Sequence, residues 1–206
     1  AHRGRAHLRK QKIAAGIQYT ELCAVLALHQ DLYKVPGDTQ HLLDLGHTRI
    51  AFPADYTHPV AGGQLRGVRL ALARRGLRYL YDDLLSIVHT AEGASQGVSR
   101  LMRLPLASRP TAIFAFDDEV AIDTFNALRY YGLRVPDDIS LVGFDNIPMA
   151  AHTYPPLTTV DVPKRRIGMQ MVGLLDKLHK NKGAALGATI LEGQLVVRAS
   201  TGPAPH

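Results

Sequence analysis

Residues 109–146 read RPTAIFAFDDEVAIDTFNALRYYGLRVPDDISLVGFDN, and this stretch decides the fold. Thr111 to Phe116 is a short, nearly continuous apolar run, as expected of a strand covered on both faces in a parallel sheet. Asp117 and Asp118 supply a helix start. Val120, Thr124, Leu128 and Tyr131 follow at helical spacing, Gly132 offers a left-handed stop, and Pro136 lies just beyond. Ile139 to Phe144 is a second buried strand with Gly143, Phe144, Asp145 and Asn146 at its carboxyl end. Ligands of open α/β sheets bind at that end, so the stretch also locates a candidate site.

The same alternation continues outward. His41 to Leu45 closes a helix at Gly46 and His47, and Arg49 to Phe52 is a strand. Gln64 to Arg75 is a helix with Leu65, Val68, Leu72 and Ala71 inward. Leu84 to Val88 is a strand, Glu92 to Arg103 a helix, and Pro105 to Arg109 a loop. Downstream, Pro163 to Lys180 is amphipathic, with Ile167, Met171, Leu174, Leu175 and Leu178 on one stripe. Thr189 to Val197 returns as a strand, and Ala199 to His206 is expected to fray. Strands alternating with helices of this length imply right-handed crossovers and a doubly wound, parallel α/β sheet.

Composition narrows the function. The chain has 206 residues, 46% of them hydrophobic, enough to bury a core. Its net charge of +6 is concentrated: five of 24 Lys and Arg, Arg3, Arg5, Arg9, Lys10 and Lys12, stand in residues 1–12, leaving 19 against 18 acids. That segment reads as a basic arm attracted to phosphates, or as a solvated tail. One cysteine, Cys23, excludes an internal disulfide and suits a reducing cytoplasm. No apolar run approaches the roughly 18 residues of a membrane span, and no signal-peptide core opens the chain. Catalytic signatures of the G-x-S-x-G, phosphate-loop, G-x-G-x-x-G and H-E-x-x-H types are absent, so an enzyme, a cofactor and a metal site are not expected.

The segments HLLDLGHTRIAF, GVRLALARRGL, PTAIFAFDDEVAI, GLRVPDDISLVGFDNIP, YPPLTTV and LVVRASTGP together resemble the effector core of the lactose-repressor/galactose-repressor family of transcription regulators, from about Asp38 to Pro203. The resemblance implies the second lobe of a periplasmic-binding-protein-like fold, a small-molecule effector, DNA as a partner, a homodimer and a cytoplasmic location. It implies effector contacts at five positions. Asp145 matches an aspartate that accepts hydrogen bonds from effector hydroxyls or amines. Asp117 stands where asparagine is usual, and Phe116 precedes it. Gln64 replaces an arginine, losing the fixed charge and planar fork, and Glu92 occupies a region where an aromatic is common. A neutral or cationic sugar- or nucleoside-like effector fits these departures better than an anion.

The N-terminal segment is harder to place. Ala15, Gly16, Ile17, Gln18, Tyr19, Thr20, Leu22, Val25 and Leu26 resemble the family's helix-turn-helix, which implies DNA contacts from Gln18, Tyr19 and Thr20, with Arg3 and Arg5 on phosphates. The same text is also an amphipathic helix burying Ile17, Leu22, Val25 and Leu26. Between His29 and Gln40, at no more than about 3.5 Å per residue, the chain can link elements but cannot build the family's first lobe. Two domains are therefore expected, residues 1–36 and 37–206, with the first lobe largely missing and half a binding site. A periplasmic-type sugar-binding protein and a degenerate interaction module are the alternative functions.

Overall fold

A computed structural model describes residues 38–54, 61–81, 90–181 and 191–205. The basic arm, the helix-turn-helix-like text with Gln18, Tyr19 and Thr20, and the expected strand at 84–88 lie outside the described residues. The chain divides into two compact units, one of residues 34–162 with 192–206 and the other of residues 1–33 with 163–191.

In the larger unit, helix α1 (Asp38–Asp44) leads to strand β1 (Ile50–Ala51), and helices α2 (Ala61–Arg74) and α3 (Ala91–Met102) precede β2 (Ala112–Phe114). Helix α4 (Asp118–Tyr130), β3 (Ser140–Phe144), β4 (Thr158–Asp161) and β5 (Gln194–Val196) complete it. Among the described residues the strands lie in the order β1-β2-β3-β4-β5; the first four are parallel and β5 is antiparallel to β4. The central strand–helix–strand unit read from residues 109–146 is therefore the middle of the sheet.

Strand alternation divides the core between the two faces. Ala51, Ile113, Ala115 and Leu141 pack with Val98 and Leu101 of α3 and Val120, Ala121 and Leu128 of α4, all buried. On the other face Phe114 lies between Phe52 (ring centroids 5.3 Å apart) and Phe144 (6.5 Å), and these pairs add about 0.5–1.5 kcal/mol each beyond their area. Helix α1 packs against α2 and β2. Layers on both faces are what the unbroken apolar strands require.

Helix α4 begins and ends where the sequence indicates. The Asp117 carboxylate accepts the Val120 amide at 2.7 Å, and Gly132, at φ +76°, provides the left-handed stop, with the Leu133 amide donating to the Leu128 carbonyl at 3.0 Å. Helix α2 starts at Ala61, three residues before the expected Gln64. Gly62 and Gly63 are poor helix formers, but packing of Ala61, Leu65 and Val68 overrides that propensity.

The expectation of a frayed C-terminus is overturned. Ser200 is fully buried; its hydroxyl donates to the Leu141 carbonyl at 2.6 Å and accepts the Thr158 amide at 2.8 Å. Its carbonyl accepts the Leu141 amide at 2.8 Å, and the Ala204 amide reaches the Leu45 carbonyl at 2.9 Å. Small polar residues resemble a loose tail in sequence, but here Ser200 satisfies backbone groups at strand starts and the Thr201 hydroxyl lies 3.0 Å from His41 Nε2. His47, fully buried, joins the same set. Its Nε2 lies 3.0 Å from the Gly202 carbonyl, which can only accept, so Nε2 carries the proton and Nδ1 accepts the Thr111 hydroxyl at 3.0 Å.

The smaller unit contributes α5 (Lys164–Lys180). Ile167, Met171, Leu174 and Leu175 are half-buried on one stripe, while Met169 and Val172 are exposed. Such a stripe is expected to pack against Ile17 to Leu28, which lie outside the described residues, or to mediate self-association.

Burial is the main reason that His47 holds its proton less readily than an ordinary histidine. The unfolded chain therefore binds a proton that the folded chain does not as pH falls through the ordinary value of 6.5, and stability declines with it. Urea unfolding should show this loss from pH 7 to pH 5, and it should be smaller in His47→Gln. Ser200→Ala should cost about 1–3 kcal/mol at pH 7 by leaving buried partners unmatched; a tail that contributes nothing would leave the urea midpoint unchanged.

Candidate effector-binding site

The carboxyl ends of β2 and β3 carry the residues singled out in the sequence. Phe116, buried, follows β2, and its carbonyl accepts the Gln64 amide nitrogen at 3.1 Å. Gln64 is 2% exposed, and its Oε1 is buried without a hydrogen-bond partner. An orphaned buried acceptor costs about 1–3 kcal/mol, so a donor supplied at this point would recover stability. Asp117, half-buried, caps α4 beside Phe116.

At the end of β3 the backbone turns sharply: Asp145 has φ +104° and Asn146 φ +50°. Residues with a Cβ seldom adopt such angles, and a strained pair at a strand end is characteristic of a functional loop. The Asp145 amide is held by the Val160 carbonyl at 2.9 Å, while its side chain stays half-exposed. Asn146 is fixed on both sides, donating from Nδ2 to Asp161 Oδ1 at 3.1 Å and accepting from Arg198 Nη2 at 2.8 Å. Arg198 also donates to the Leu157 carbonyl at 2.6 Å, so this guanidinium is committed to the loop and to β4.

Asp118 organises the edge, a role that the sequence does not announce. It follows the cap of α4, and in sequence it looks like one more acid favouring a helix N-terminus. In the structure it is fully buried: Oδ1 accepts the Thr159 hydroxyl at 2.6 Å and Oδ2 accepts the Ile147 amide at 2.8 Å. One carboxylate thus ties α4 to β4 and to the loop carrying Asp145 and Asn146. The strand between them must be thin, and Gly143 makes it so. A Cβ there would collide with Asp118 Oδ1 and sit 2.9 Å from Leu157 Cδ2. A glycine inside a buried strand was the available signal of a close approach.

Burial, above all, raises the Asp118 carboxyl above its ordinary value; the bonds from Thr159 and Ile147 oppose this, and the charges of Asp145 and Asp117 add to it. Both of those carboxylates therefore lie within electrostatic reach of Asp118. Gln64 joins through Phe116. Glu92 does not: it is exposed in the first turn of α3, its carboxylate accepts from Gln96 at 3.3 Å, and no hydrogen bond or ion pair joins it to Asp117 or Asp145. Among the described residues no group of three metal-ligating side chains is present.

Residues 39–201 match the family described as periplasmic binding protein-like domain. The chain belongs to that family, as an effector-binding core of the lactose-repressor type. It is 34% identical over 163 residues to the HTH-type transcriptional repressor PurR of Aliivibrio fischeri, an alignment covering 79% of this chain and 48% of the relative. It thus spans about half the length of the curated relatives it matches. A crystal structure of a putative LacI transcriptional regulator from Bacillus cereus subsp. cytotoxis superposes with a TM-score of 0.74 at 29% identity, covering 82% of this chain and 59% of that one. A LacI-family regulator from Enterococcus faecium with bound ribose gives 0.69 at 27% identity over 82% and 61%.

The raised Asp118 pKa has a defined sign. Above 3.8 the unfolded chain loses this proton while the folded chain still holds it, so stability falls as pH rises through the window up to the folded value. Urea titrations across that window should show a shallower decline in Asp118→Asn than in the parent chain. Gly143→Ala should destabilise by about 1–3 kcal/mol, as overpacking does; equal slopes together with a neutral Gly143→Ala would remove Asp118 from this role.

Proposed function

We propose that this chain is the small-molecule-sensing part of a transcription regulator of the lactose-repressor type, and that its effector is rich in hydrogen-bond donors and neutral or cationic, sugar-like or nucleoside-like. The observation that carries this reading is the acceptor-rich edge: Asp117 and Asp145 both within electrostatic reach of Asp118, Gln64 bonded to the Phe116 carbonyl with its Oε1 unpartnered, and the guanidinium of Arg198 already committed. Such a surface repels carboxylates and phosphates and accepts from paired hydroxyls or amines. Asp145 is the principal acceptor, Asp117 and Gln64 assist, and Phe116 positions Gln64. The ribose named with the Enterococcus faecium structure supports the polyol class.

DNA is the second partner in this proposal, reached by the basic Arg3 and Arg5 and by Gln18, Tyr19 and Thr20, in a homodimer. The regulators among the relatives support it, and the readout is regulation rather than catalysis. Binding through the arm should be sequence-independent and should fall steeply with salt. Fluorescence anisotropy on random duplex at several salt concentrations measures this, and salt-independent binding would contradict it.

Calorimetric titration with ribose, adenosine, spermidine and ribose 5-phosphate tests the effector class. Binding is expected for a neutral or cationic member and should weaken at least about tenfold in Asp145→Ala, since bonds to charged groups contribute roughly 1.5–3 kcal/mol. Preference for the phosphate, or unchanged affinity in Asp145→Ala, would refute the assignment.

A further inference from the structure

At the opposite, amino-terminal edge of the sheet lies a cavity of about 300 Å³. It opens beside Thr111, which precedes β2, and Ile139, which precedes β3, whereas the effector site lies where those strands end. Its floor is apolar: Val98 and Leu101 from α3, Leu128 from α4, and Ile139, each at most 4% exposed. The half-buried side chain of Leu133 forms one wall. The volume is at the small end for ligand pockets, enough for about ten non-hydrogen atoms.

The rim is charged. Arg109 is spent on backbone: Nε donates to the Leu104 carbonyl at 3.0 Å and Nη2 to the Met102 carbonyl at 2.7 Å, closing the end of α3. Arg49 is not spent. Only its Nε is engaged, donating to the Arg109 carbonyl at 2.7 Å, and among the described residues no carboxylate pairs with it. Asp138, also on the rim, is bound by Arg134, which donates from Nε at 3.1 Å and from Nη2 at 3.2 Å, so its charge is compensated. A half-buried guanidinium with two free nitrogens over an apolar floor suits a carboxylate with an aliphatic body.

We propose that this amino-edge cavity is a second ligand site, independent of the effector site, that takes a small amphipathic carboxylate, with its chain on Leu101, Leu128 and Ile139 and its head on Arg49. Octanoate is the probe, with octanol as its uncharged counterpart and acetate as the head alone. Titration of the whole chain, followed by methyl NMR, should show saturable shifts at Leu101, Leu128, Leu133 and Ile139 with octanoate and none with acetate. Octanol should bind about tenfold more weakly, as should octanoate to Arg49→Gln, through loss of charge-assisted hydrogen bonds. Arg49→Lys should keep most of the affinity, Leu133→Trp should abolish it by filling the space, and Asp145→Ala should leave it unchanged. Absence of saturable octanoate binding up to about 10 mM, equal affinity for octanol, or equal affinity in Arg49→Gln would overturn the proposal. The octanol comparison uses the parent chain and stands even if a variant fails to fold.

Discussion

A buried carboxylate is expensive, and Asp118 survives burial only because each of its oxygens receives a hydrogen bond, from the Thr159 hydroxyl and the Ile147 amide. Those bonds join three elements that are distant in sequence: the first turn of α4, strand β4 and the loop after β3. Much of the carboxyl edge depends on the join. Gly143 must lack a side chain to leave room for it, Thr159 must present a hydroxyl to it, and the loop turns through two left-handed residues so that the Ile147 amide meets it. The outcome is that Asp145 stands half-exposed on a fixed backbone, a first requirement for any site that recognises a small polar molecule.

Acidic side chains gather at one end of the sheet, and arginines line the cavity at the other. Asp117, Asp118 and Asp145 gather at the carboxyl end, whereas Arg49 and Arg109 stand at the amino end. The amino end is closed by a different kind of chemistry, uncharged and dense: His47, Thr111, Ser140, Ser200 and Gly202 exchange hydrogen bonds around the strand starts. The C-terminal segment is thus part of the sheet's closure at the amino end, as the Asp118 join is at the carboxyl end.

How much of this was legible in the sequence follows from the range of the forces involved. The strand–helix–strand core was readable in residues 109–146 because continuous apolar runs, an acidic cap and a stop glycine are local signals, and Asp117, Val120, Leu128 and Gly132 each act as their type suggests. Asp118 was not legible as an organiser, since its partners lie 29 and 41 residues away and nothing local distinguishes it from its acidic neighbours. Ser200 and Gly202 looked like tail residues for the same reason. Gln64 was flagged only as a departure from a family pattern, and its unmatched oxygen emerged only from the packing of α2 against Phe116. Glu92 shows the converse: a position chosen by analogy whose side chain bonds within its own helix.

The most direct test of the central claim is a carboxyl-carbon NMR titration of the folded chain that resolves Asp118 while the Ile147 amide is monitored. Asp118 should titrate above its ordinary value of 3.8, and the Ile147 amide should move with the same midpoint. An Ile147 amide that does not respond to the Asp118 titration would contradict the account.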